Sequence, residues 1–119
     1  MFGDILRRSN SMNVDAIESL VLLADKQQNG EIAKDTLEKF IKKNPNAVKT
    51  VLEVGNLIKN KNDLKLSDLQ KEFSIGFAKA ARIADIFESA EIVKYSYDSD
   101  FCKRTINHEK LGNLQKLLS

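Results

Sequence analysis

The residues of this sequence best suited to chemistry are cations. Between Leu64 and Ile106 stand Lys65, Lys71, Lys79, Arg82, Lys94, Lys103 and Arg104. Ammonium and guanidinium groups donate hydrogen bonds to phosphate oxygens and to the N7 and O6 acceptors of guanine. An equal number of carboxylates opposes them: Asp68, Glu72, Asp85, Glu88, Glu91, Asp98 and Asp100. The segment is therefore neutral as a whole, and any positive face is local, around Lys71, Lys79, Arg82, Lys103 and Arg104. The acids gather after Arg82 and again at Asp98–Asp100, where they would repel a phosphate.

Other chemistries find less support. A single cysteine, Cys102, excludes an internal disulfide, and with one histidine, His108, it leaves no Cys/His zinc cluster. No nucleophile constellation or pair of carboxylates suggests catalysis, so no enzyme and no cofactor is expected. His108 reads as a surface or capping residue near a helix start, and nothing local activates the Cys102 thiol. The net charge is +2 with an isoelectric point near 8.6, below the value of about 9 that marks a plainly nucleic-acid-binding domain.

The elements that must position these cations are mostly helical. At 119 residues, 42% hydrophobic and 30% charged, the chain can build one core. No secretory signal is visible, and the most apolar stretch, Ser19–Ala24, is too short to span a bilayer. The expectation is a cytoplasmic protein without membrane contact, as monomer or homodimer. Met1–Met12 holds Phe2, Ile5, Leu6, Arg7 and Arg8, an arm or a short packed helix. Val14, Ile17, Leu20, Val21 and Ala24 predict a helix to Gln28, with Leu22 and Leu23 widening its apolar stripe toward deep burial. Asn13 is placed to cap it and Gly30 to end it. Ile32–Lys43 predicts a second helix. Asn44-Pro45 opens a third to about Asn60, in which Gly55 suggests close approach of a neighbouring helix.

Ser67 and Gln70 form a capping box for a short fourth helix carrying Leu69 and Phe73. Gly76 is placed for a positive φ in the turn that follows. A fifth helix spans Phe77–Ala90, with Ala80, Ile83, Ala84 and Phe87 inward. Beyond Ile92 the period changes to two: Val93, Tyr95 and Tyr97 alternate with Lys94 and Ser96. Asp98-Ser99-Asp100 predicts a turn and Phe101–Asn107 the returning strand, with Tyr95, Tyr97 and Phe101 in core or cross-strand pairs. Asn107 can cap a last helix bearing Leu111, Leu114 and Leu118, as core or as a dimer seam, core being favoured. The order helix, short helix, turn, helix, hairpin is that of a winged helix-turn-helix.

From Leu66 to Val93 the sequence reads LSDLQKEFSIGFAKAARIADIFESAEIV. It resembles the gamma domain at the C-terminus of the FtsK/SpoIIIE DNA translocases. The matching residues are Gln70-Lys71, Ile75-Gly76, Phe77, Ala80-Ala81-Arg82, Glu88 and Ile92-Val93. The resemblance implies that Ala78, Lys79 and Arg82 read a major groove, with Lys71 and Phe77 also at the DNA. Lys103 and Arg104 are the corresponding wing candidates. The chain departs from the family at Ala78 (often Asn or Thr), Lys79 (Arg), Phe77 (Tyr) and Glu91 (Gly). Lys lacks the guanidinium fork, and Phe77 lacks a hydroxyl for phosphate. The translocase motor has no counterpart, because the sequence contains no G-x-x-x-x-G-K-[ST] loop.

The expected architecture is mainly α with a small β-hairpin. It divides into an arm and helical hairpin over 1–45, a winged helix-turn-helix over 46–107 and a C-terminal helix over 108–119. An alternative pairs Ile32–Ile58 with Leu66–Ala90 as a degenerate second helix-turn-helix. The function these readings imply is duplex-DNA binding, as a regulator or as an accessory factor for DNA transfer, segregation or replication on a plasmid or phage. The rival is a protein-interaction module that contacts a recombinase or another DNA-processing protein.

Overall fold

Helical periodicity and a few capping residues account for most of the architecture. The computed structural model describes residues 12–98 and 101–119. The arm, the turn residues Ser99-Asp100 and the side chains of Asp98, Phe101 and Cys102 lie outside that description, and the expectations for them with it. The helices are α1 (Val14–Gln28), α2 (Lys34–Lys43), α3 (Pro45–Ile58), α4 (Leu66–Phe73), α5 (Phe77–Ser89) and α6 (His108–Leu118); the strands are β1 (Val93–Asp98) and β2 (Phe101–Ile106). The fold is thus mainly α with one antiparallel hairpin.

Two asparagine caps form where the sequence places them. Asn13 accepts from the Ala16 amide and Asn107 from the Lys110 amide, both at 3.1 Å, satisfying donors that the first helical turn leaves open. Two other expected caps do not form. The Asn44 side chain donates back to the Phe40 carbonyl at 3.0 Å, closing α2 rather than opening α3. Helix α4 begins at Leu66 with Lys65 at its N-cap, so Ser67 lies inside the first turn and makes no capping box. Ala33 likewise takes the N-cap of α2, whose first turn starts two residues after Ile32.

Left-handed residues end α1, α4 and α5. Gly30 has φ +76°, and the Glu31 and Gly30 amides donate to the Lys26 and Gln27 carbonyls, the two bonds of a Schellman motif. The same pair closes α5: Ile92 donates to Phe87 and Glu91 to Glu88, each at 2.9 Å. There the left-handed residue is Glu91, with φ 60°. A Cβ in that region costs about 1–2 kcal/mol. Glu91 also accepts from the Lys110 ammonium at 2.9 Å, an exposed pair of small value. Replacing Glu91 by Gly is therefore expected to raise the free energy of unfolding by up to about 1 kcal/mol. Unchanged or lower stability in urea titrations would show that the ion pair outweighs the backbone strain.

In the turn between α4 and α5, Ser74 and not Gly76 takes the positive φ, at 53°. Ending α4 requires the left-handed residue directly after it, whereas Gly76, at φ −78° and ψ 172°, is already the extended N-cap of α5.

One cluster of buried apolar side chains runs from Val14 to Leu118 and draws on every helix. Leu111, Leu114 and Leu118 of α6 belong to it, so that stripe is core. Gly55 marks the close approach expected of it, since a Cβ there would lie 2.8 Å from Nε2 of Gln115 on α6. Deep burial of Leu22 and Leu23 is not found. Leu22 is 37% exposed and Leu23 half-buried, because Ile17, Leu20, Val21 and Ala24 already fill the inward arc of α1.

Candidate nucleic-acid interface

Helix α5 is the rod that carries the expected contacts. Ala80, Ile83, Ala84, Ile86 and Phe87 are buried, which fixes the rotation of the helix. Small side chains at 80 and 84 suit tight packing on α4 and α1, its two main helical neighbours. The exposed residues of α5 are then Phe77, Ala78, Arg82, Asp85, Glu88 and Ser89. Phe77, at the opening turn, is 65% exposed.

The two cations expected to point outward differ in exposure. Lys79 is half-buried. Arg82 is exposed, but its guanidinium is hydrogen-bonded to the Asp15 carboxylate, and Oε1 of Glu18 lies 3.8 Å away. The Asp15 hydrogen bond raises the Arg82 pKa; desolvation acts against it, and the charges of Asp15 and Glu18 add to the rise. These two acids come from α1, far from the helix-turn-helix in sequence, and no local pattern announces them. Lys71, in the last turn of α4, is exposed.

The hairpin sorts its cations by strand alternation. Register pairs Val93 with Ile106, Tyr95 with Arg104 and Tyr97 with Cys102 on one face. Lys94 with Thr105 and Ser96 with Lys103 share the other. Consecutive strand residues face opposite ways, so Lys103 and Arg104 cannot act as one basic pair. Arg104 lies over the Tyr95 ring, 5.1 Å from its centroid, a cation–π contact. Its Nε is shielded from solvent with no hydrogen-bond partner among the described residues. Lys103 instead shares an exposed face with Lys94, a residue absent from the sequence-derived site. A period-two reading of β1 and β2 together could have found it.

Tyr97 meets the cross-strand half of its expectation, opposite Cys102, but not the core half. It is 79% exposed rather than paired into a core. Among the described side chains of the hairpin, Val93 and Ile106 at its base reach the buried cluster.

The hairpin is braced from its other side. The Leu64 amide donates to the Arg104 carbonyl at 2.8 Å and the Ile106 amide to the Asn62 carbonyl at 3.1 Å. Asp63 thereby bridges Thr105 in antiparallel fashion. An ion pair of 2.7 Å between Lys61 and Asp68 ties this short edge to α4. Among the described residues no three His, Cys, Asp or Glu converge on a metal position, and no helix is long and apolar enough to cross a membrane. No protein-family model matches this chain, and no curated protein or solved structure is significantly similar to it.

Proposed function

We propose that this chain is a duplex-DNA-binding protein of the winged-helix class. Helix α5 would lie along the major groove and the Lys94/Lys103 face of the hairpin would contact the phosphate backbone. The observation that carries the reading is the pairing of Asn62–Leu64 with β2. With it the chain order from α3 onward is helix, bridging segment, helix, turn, helix and two-stranded hairpin. That arrangement leaves one helix face and one hairpin face open on the same half of the molecule's sequence.

The gamma-domain resemblance gains physical support at one position. Where that family has Gly, Glu91 occupies the left-handed residue of a Schellman motif, the place that Gly fills without strain. On this reading Lys71, Lys79, Arg82, Lys94 and Lys103 are the polar contacts, with Phe77 and Ala78 against the groove wall. Arg104 supports the hairpin through Tyr95.

Titration of a fluorescent duplex over about 50–200 mM salt tests the proposal, because each phosphate contact contributes about −0.9 to the slope of log K against log salt. Wild-type protein is expected to show a slope of several units, and Arg82→Ala a slope smaller by about one. No binding, or binding indifferent to salt, on duplexes of varied sequence overturns it. That outcome would favour the second reading, a protein-interaction module. The feature in its favour is the exposed side of α5, where Phe77 and Ala78 stand with Asp85 and Glu88, a surface suited to a basic protein partner.

A further inference from the structure

Arg82 stands at the boundary between the two halves of the chain. It belongs to the helix assigned to DNA, yet its partners lie on α1. Asp15 and Glu18 are one turn apart on the solvent side of α1, with side-chain exposures of 82% and 48%, and Arg82 itself is 45% exposed. A carboxylate offers a guanidinium the same acceptor geometry as a phosphate. The pair is open to water, so its strength is modest and it can exchange partners without unfolding anything.

We propose that Asp15 and Glu18 act as an internal phosphate substitute, which holds Arg82 in the free protein and must be displaced when duplex binds. Helix α1 thereby lowers the DNA affinity of α5. The inference rests on the DNA-binding reading and adds a regulator to it. Two effects have the same sign. Each bound phosphate competes with the carboxylates for one guanidinium, and the carboxylates repel the phosphates that approach it. The second effect acts on any DNA near α1, whereas the first requires Arg82. That difference makes the proposal separable from a general change of charge.

The experiment is a thermodynamic cycle read by anisotropy of one labelled duplex at fixed salt. It uses the full chain, Asp15→Asn/Glu18→Gln, Arg82→Ala and the combined triple variant, with circular dichroism to verify that each is folded. Release of a surface ion pair is expected to raise duplex affinity about fivefold in the double variant. The triple variant is expected to exceed Arg82→Ala only by the smaller factor that lost repulsion gives, because with the arginine gone no guanidinium is left to release. Neutralising two acids away from α5, Glu31→Gln/Asp35→Asn, is expected to change affinity less and by the same factor with or without Arg82.

Three results overturn the inference while leaving the DNA reading intact. They are an unchanged affinity in the double variant, a lowered affinity (which would mean that the acids orient Arg82 for DNA), or a gain of the same size when Arg82 is Ala. If neither the wild type nor the double variant binds duplex, the DNA reading itself falls and takes the inference with it.

Discussion

Replacing Phe87 by Ala is expected to lower the free energy of unfolding by about 3–5 kcal/mol, the usual cost of emptying a buried aromatic site. Phe87 is the largest of the fully buried side chains. It sits in the last turn of α5, where its carbonyl also receives the Ile92 amide that closes the helix. The cavity therefore opens at the joint between the helix and the hairpin, where little can collapse into it. Because a typical domain is stable by only about 5–15 kcal/mol, the variant should be marginal at room temperature. Since α1, α3 and α6 share the same buried cluster, denaturation by urea should remain a single transition, displaced to much lower denaturant. A loss below about 1 kcal/mol would mean that the packing around Phe87 is not as described.

The largest functional effect is expected from reversing the two wing lysines together. Lys94→Glu/Lys103→Glu changes the charge of one exposed hairpin face by four units while touching no buried residue. Each lysine lost as a phosphate contact removes about one unit of salt slope. Each glutamate gained adds repulsion, so duplex affinity should fall by about two orders of magnitude at low salt and by less at high salt. The same reversal at Lys34 and Lys39 of α2 is expected to have a much smaller effect, and both variants should keep the wild-type helical signal. Equal effects at the two places would indicate a response to net charge alone and would remove the hairpin from the interface.

Local physics was legible along most of the chain. Asn13 and Asn107 read as caps because a short side chain oxygen before an apolar-periodic run has few other uses, and both make the bond. The five inward residues of α1 and the four expected for α5 are buried, because a 3.6-residue period allows only one face to reach the core. The alternation after Ile92 marked the hairpin for the same kind of reason. Two of the errors arose where local preferences competed. Asn44 could close one helix or open the next, and Gly76 could bend the chain or start α5; in each case neighbouring backbone decided.

By itself, then, the sequence determined the order of helices and the hairpin among the described residues, and which face of most helices is apolar, since these depend on interactions within a few residues. Only the tertiary structure decided what surrounds the cations. Arg82 meets Asp15 across 67 positions of chain, Arg104 leans on Tyr95 across the hairpin, and Lys94 joins Lys103 through strand register. Such pairings depend on how separate elements pack, and charge interactions in water are too weak and too unspecific in direction to write a pattern into the local sequence.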